Sequence, residues 1–324
     1  MAEGTIKEHT EAGEILRRYG LAVLFVAPYL IFFVCFTVIP IGMGVVISFM
    51  DYNPYNVGAA TFSGFKNYGY LFNPDSMVAK LFWPAFGKTM AFDLCAVPCI
   101  LIIPLLLAIL INTQPPGYKI FRAIIYLPAV TSITVTGIIF SSLFAGDESG
   151  LINALFHTDI QWLNEGVLRW AVMLFVSIWW QTGTNFVILS AGLRDVPKPL
   201  YEACEMDGGN KWTQFFKVTL PNIKGQINLC LFTTIIGYMG LYGQPTVLYG
   251  SDNQPNALAP DTPMIMIQQW LNDPTFAKRT GTLSAVAVVF GLLTMLVTLI
   301  EKVATKERKR GDKHERQFRS YTSF

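Results

Sequence analysis

Two sets of polar and aromatic side chains recur at helical spacing inside otherwise apolar stretches. Ser177, Trp180, Gln181 and Thr184 fall at i, i+3, i+4 and i+7, with Asn185 beside them. Thr234, Tyr238, Leu241 and Tyr242 fall at i, i+4, i+7 and i+8. Each spacing places its set on one face of a helix. Aromatic rings stack on the apolar faces of sugars, while amides and hydroxyls pair with sugar hydroxyl groups. For any single residue, packing or interfacial anchoring explains a Trp or Tyr nearly as well; as sets, the two faces favour a path for a hydrophilic solute. Neither face carries a Lys or Arg. An anionic solute would call for one, because burying an anion without a partner is costly. The expected solute is an uncharged or weakly charged carbohydrate, from mono- to oligosaccharide.

Other candidate chemistry is sparse. Asp93 is a carboxylate inside an apolar run and a functional candidate by default. It lies about two turns from the end of that run with Lys88 nearby, so pairing, or exposure to an outer cavity, fits better than a proton relay. His9, His157 and His314 lie outside the apolar runs, and no pair sits at i, i+4 around a Glu. Cys35, Cys95, Cys99, Cys204 and Cys230 lack the spacing of a disulfide framework or zinc site and read as small apolar residues. A phosphate-cradling Gly-x4-Gly-Lys-Ser/Thr loop is absent. No catalytic residue, metal site or cofactor is expected; any ATP would be bound by another subunit.

The elements that must position these groups are membrane spans. Hydrophobic residues make up 52% of the 324 and charged residues 14%, against about 25% charged in soluble domains. Mean hydropathy is +0.42. Six apolar runs, at about 21–49, 86–111, 123–145, 168–192, 226–248 and 281–300, suit a hydrocarbon core of roughly 30 Å. The first lacks a small-residue cleavage pattern and reads as a permanent span. All must be helices, because an open sheet cannot satisfy its backbone in lipid. Pro28, Pro40, Pro98, Pro104 and Pro128 predict kinks. The expected fold class is an all-α membrane protein with six transmembrane helices. Its domains are a tail over 1–20, a transmembrane domain over 21–301 and a basic tail over 302–324.

Eighteen of the 24 Lys and Arg residues fall in the first tail, the 112–122 turn, the 194–225 loop and the last tail. That asymmetry predicts a multi-pass protein with both termini cytoplasmic. The basic tail reads as a topology anchor rather than a nucleic-acid or lipid patch. On the opposite side, 50–84 and 249–279 mix turn residues with aromatics or prolines, and 147–167 carries acidic charge only. Such surfaces suit an external partner, though ordinary loops look much the same.

The loop over 194–222 is too apolar for a linker. Pro197 and Pro199 set up a short helix from Leu200 to about Met206, ended by Gly208-Gly209. A second helix from about Lys211 would carry Trp212, Phe215 and Phe216 on one face and stop before Pro221. A rigid knob of this kind transmits a movement that a flexible linker would absorb. It reads as a docking element.

Glu202-Ala203, Asp207-Gly208, Phe216 and Leu220-Pro221 together resemble the "EAA" coupling loop of ABC-importer permeases served by an external binding protein. The likeness to sugar-importer permeases of the maltose and glycerol-phosphate type runs through nearly the whole chain. It includes Ser48-Phe49, Gly64-Phe65-x-Asn67-Tyr68, Tyr126-Leu127-Pro128, Gly150-Leu151-Ile152-Asn153, Ala191-Gly192-Leu193 and Ser284-Ala285. Cys204 and Gly209 stand where Ala is usual, Tyr249 where Thr is expected, and Gly87-Lys88-Thr89 replaces the usual start of span two. The resemblance implies a type I ABC importer permease in a prokaryotic cell membrane. Its implied partners are a homologous second permease, an ABC ATPase dimer and an extracytoplasmic solute-binding protein, with the ATPase seated on Glu202, Ala203, Asp207, Gly208, Leu220 and Pro221. An ion-coupled secondary transporter or a polytopic membrane enzyme is the alternative. Either would show paired buried carboxylates, histidines or inverted repeats of broken helices.

Overall fold

The computed structural model describes residues 20, 23–146, 149–164, 166–249, 262–274 and 278–305. The two terminal tails, apart from residue 20 and the helix end at 302–305, and the Pro255–Pro260 part of the outer loop lie outside the described residues. Within them the fold is almost wholly helical, as a chain in lipid must be. The helices are α1 (Val23–Ser48), α2 (Lys66–Phe72), α3 (Met77–Asn112), α4 (Tyr118–Val130), α5 (Ile133–Leu143) and α6 (Leu151–Phe156). After them come α7 (Gly166–Asp195), α8 (Lys198–Met206), α9 (Lys211–Gln214), α10 (Leu220–Asn222), α11 (Lys224–Met239), α12 (Gly243–Tyr249), α13 (Pro263–Asn272) and α14 (Thr280–Thr305).

Four of these, α1, α3, α7 and α14, are each long and apolar enough to cross a membrane. The third expected run is split: α4 and α5 meet at an angle of 101°. Pro128 lies in the last turn of α4, Thr131 is extended, and Ser132 caps α5 by accepting the Val135 N–H at 3.2 Å. The fifth run is split as well, into α11 and α12 around Gly240. Apolar composition records that a segment lies in lipid; it does not record where the segment bends.

Prolines are accommodated by two devices. Ahead of Pro40 and of Pro221 the helix widens into a π turn, Val34–Val38 and Phe215–Thr219. In each, the residue preceding the proline donates five residues back, Ile39 to Val34 and Leu220 to Phe215. The wider turn makes room for a ring that has no N–H to offer. Inside α3, Pro104 leaves the Ile100 carbonyl without its intrahelical donor. The Asn185 side chain, from α7, donates to that carbonyl at 3.1 Å.

The chain forms two compact units. In the first, Met1–Ala79 with Trp270–Val289, a junction gathers around buried Asn67. Its amide donates to the Ser48 carbonyl at 2.9 Å and the Met50 carbonyl at 2.8 Å, and its oxygen accepts from Thr282 at 3.0 Å. Ser48 and Tyr68 share a hydrogen bond at 2.7 Å, and Phe49, Phe65 and Tyr68 form an aromatic cluster. The short ladder β1 (Met50–Asp51) with β2 (Thr61–Phe62) closes the loop, and a Cβ at Gly281 would collide with the Met50 carbonyl. The scattered motif Ser48-Phe49 and Gly64-Phe65-x-Asn67-Tyr68 is thus one knot tying the end of α1 to the start of α14.

In the second unit, Lys80–Gln269 with Phe290–Phe324, α7 is the central post, packed by α4, α11 and α12. A Cβ on Gly183 would lie 2.8 Å from the Ala129 Cβ, so α4 and α7 approach as closely as small residues allow. Phe92, Ala96, Ile100, Phe140, Val172, Met173, Val176 and Tyr238 build one core cluster.

Candidate functional site

The loop between α7 and α11 has a defined geometry. Pro197 and Pro199 stand at the start of α8, where a missing N–H is harmless. Its far end is a complete Schellman turn: the Gly209 N–H donates to the Cys204 carbonyl at 2.8 Å and the Gly208 N–H to the Glu205 carbonyl at 2.9 Å. Gly208 has φ of +79°, which glycine adopts without penalty. Asn210 then caps α9, accepting from the Thr213 N–H at 2.9 Å. The Gln214 amide donates to Glu205 at 2.9 Å, Lys211 reaches the same carboxylate at 3.3 Å, and Tyr201 and Thr219 share a bond at 3.0 Å. Two short helices are locked into one knob.

The outward side of this knob is unpartnered. Glu202, Ala203, Met206 and Asp207 are exposed, and Glu202 makes no hydrogen bond or ion pair among the described residues. Trp212 and Phe216 stack at 6.2 Å with 72% and 56% of their surfaces exposed. The expected single face of Trp212, Phe215 and Phe216 is present, with Phe215 turned partly inward against Phe216.

The hydrogen bond from Gln214, followed by the bond and charge of Lys211, holds the Glu205 carboxyl below the usual carboxylate range. A lowered folded value means the contact supports the loop above the unfolded value and is lost as pH falls through the folded one. We therefore expect amide-exchange protection at Gly208 and Gly209 to weaken below about pH 4.5. Glu205→Gln should remove that pH dependence; an unchanged profile in the variant would assign it elsewhere.

A Cβ at Gly209 would fall 2.5 Å from the Cys204 sulfur and 2.7 Å from the Cys204 carbonyl oxygen. The two departures from Ala in this loop therefore share one small space, the larger side chain at 204 matched by the smaller at 209.

The expected solute-path residues divide. Ser177, Thr234, Tyr238 and Leu241 are buried. Ser177 donates to Gln244 at 2.9 Å, Tyr238 donates to the Ser177 carbonyl at 3.0 Å, and Thr234 accepts from Asn185 at 3.3 Å. These groups join helix to helix within the chain. Trp180 and Tyr242 are half-buried, with the Trp180 indole donating to the Thr131 carbonyl at the α4–α5 break, 3.3 Å away. Gln181 is half-buried and Thr184 exposed. Buried Gln244 was not expected from the sequence, nor was the Asn185–Ile100 pair, whose one signal was the proline at 104. Asp93 is 5% exposed, and neither carboxylate oxygen has a hydrogen-bond partner among the described residues, so the expected exposure to an outer cavity is not seen. Tyr249, the departure at the end of the fifth run, donates to the Arg169 carbonyl at 2.8 Å while the Arg169 guanidinium sits 3.8 Å over its ring.

Residues 94–309 match the family described as the inner membrane component of binding-protein-dependent transport systems. The chain belongs to that family. A relative is the arabinooligosaccharide transport system permease protein AraP of Bacillus subtilis (strain 168), 30% identical over 86% of each chain. The lactose transport system permease protein LacF of Rhizobium radiobacter is 28% identical, covering 88% of this chain and 94% of its own. In fold, the chain is similar to a chain from a bacterial ABC transporter involved in importing the acidic polysaccharide alginate. That match has a TM-score of 0.76 and 19% identity, and covers 93% of this chain and all of that one. The fold is therefore that of a type I importer permease. A permease of this family is a transport component of the inner membrane, which sets aside the secondary-transporter and membrane-enzyme readings.

Proposed function

We propose that this permease is one of two homologous transmembrane subunits of an ATP-driven importer that receives a carbohydrate from an extracytoplasmic binding protein. The supporting observation is the knob of α8 and α9. Its two short helices are joined by a Schellman turn and an Asn210 cap, and Glu202, Met206, Trp212 and Phe216 are exposed on its outward side, Glu202 with no hydrogen bond or ion pair among the described residues. A partner ATPase, docked against Glu202, Ala203, Asp207 and Gly208 with Leu220 and Pro221 holding the second arm, supplies the missing neighbours and the nucleotide site. Six spans follow if α4–α5 and α11–α12 each cross as broken helices, satisfied by caps and neighbouring side chains as broken spans require. The basic loops then place both termini in the cytoplasm.

Gln181 and Thr184, together with half-buried Trp180 and Tyr242, offer amide, hydroxyl and aromatic groups for a path that a second permease would complete. Ser177, Thr234, Tyr238 and Leu241 support that surface from within. The relatives named for arabinooligosaccharides and lactose fit an uncharged solute. Reconstitution with the second permease, the ATPase pair and the binding protein should give sugar-stimulated ATP hydrolysis and uptake. The Gln181→Ala, Thr184→Ala pair should cut uptake at least tenfold, the loss of about 1.4 kcal/mol of solute contact. Uptake by this chain alone, or full uptake by the double variant, would refute the assembly or the path respectively.

A further inference from the structure

A cavity of about 370 Å³ opens where the end of α3, the start of α4 and the end of α7 converge. Asn112, Gln114, Tyr118, Arg122, Ser190 and Arg194 line it, and no carboxylate does. Arg122 and Arg194 form no ion pair among the described residues. Ser190, one of the lining residues, is 5% exposed, and its buried hydroxyl has no hydrogen-bond partner among the described residues. An unmade hydrogen bond at a buried hydroxyl is uncommon in native proteins. Gln114 holds φ of +54°, an unusual backbone for a side-chain-bearing residue, and follows Asn112 around the rim. The α4 first turn carries no acidic residue to neutralise this corner.

We infer that this cavity is a binding site for a phosphate group, held between the Arg122 and Arg194 guanidiniums with the Ser190 hydroxyl as a further donor. Guanidinium matches phosphate oxygens in planar pairs, which a chloride or a solute hydroxyl does not exploit. Two chemically equivalent sources exist: the headgroup of an anionic membrane lipid, and a free phosphate of the aqueous phase. The cavity lies at the ends of three membrane helices, where both are within reach. Its assignment to the cytoplasmic face rests on the orientation proposed above; the ligand chemistry does not. Occupied, the site would tie α7, the helix that leads into the docking knob, to the α3–α4 turn.

The test uses the assembled transporter in nanodiscs. In the first arm, native mass spectrometry counts lipids retained from phosphatidylcholine discs with and without phosphatidylglycerol. In the second, inorganic phosphate is titrated calorimetrically into phosphatidylcholine discs at fixed ionic strength. We expect saturable binding in one arm: retained phosphatidylglycerol identifies a headgroup, and phosphate heat without it identifies a free anion. Arg122→Gln and Arg194→Gln should each weaken binding at least tenfold. Ser190→Ala, which removes one oxygen and little volume, should weaken it severalfold with subunit assembly intact. No saturable binding in either arm, equal binding by all variants, or a carboxylate of a neighbouring subunit filling the cavity in the assembled complex would overturn the site. Each readout is independent of sugar uptake, so a wrong substrate or a failed coupling reading would leave these binding results untouched.

Discussion

Replacing Gly208 by proline should reduce uptake to background while the membrane helices stay folded. Gly208 holds φ of +79°, and proline is fixed near about −65°. The same change deletes the N–H that closes the turn on the Glu205 carbonyl. The Schellman turn cannot form, α8 loses its stop, and Glu202 and Met206 leave their positions relative to Trp212 and Phe216. None of these residues belongs to a core cluster, so circular dichroism and detergent melting should match the parent. Stimulated ATP hydrolysis and uptake, measured together in proteoliposomes, separate the outcomes. A variant that keeps both would remove this loop from the transmission path. Glu202→Lys probes the same contact without touching the backbone and should act in the same direction.

Asn185→Leu should lower stability by about 1–3 kcal/mol, the cost of a buried carbonyl deprived of its donor. That carbonyl belongs to Ile100 and is free only because Pro104 has no N–H. Pro104→Ala supplies the intrahelical donor again, so the double variant should recover most of the loss. Additive effects in that cycle, read by thermal unfolding in detergent, would show that the two residues act separately. The Thr234 hydroxyl, which also faces Asn185, stays unpaired in both Leu variants and sets the residual deficit.

The loop between α7 and α11 was largely legible in the sequence. Pro197, Pro199 and the Gly-Gly pair have strong local meanings and are used as their chemistry suggests, whereas the second helix runs on past Pro221 through a π turn instead of stopping before it. The polar faces of α7 and α11 were less so. Ser177 and Tyr238 have the right residue types for contacting a solute and the right types for contacting each other's helices. Periodicity marks a face without saying what lies opposite, and here the buried half of each face meets its own chain. The breaks at Thr131–Ser132 and Gly240 were hidden for a related reason: hydropathy is blind to direction. The Asn67 knot was present as separate fragments whose meeting point no spacing along the chain reveals.

The helix α1 runs 26 residues, and no residue in its most apolar stretch is buried. In a membrane the side chains of that stretch would face hydrocarbon or a neighbouring protein. Exchanges among Val, Leu, Ile and Phe there leave internal packing volume unchanged, so along the lipid-facing side the letters are free to drift over generations while the hydropathy holds. Where a neighbouring protein touches the helix, shape matters and drift stops. Saturation mutagenesis of α1 would therefore trace, as a stripe of intolerance on an otherwise permissive rod, the footprint of whatever the permease assembles with.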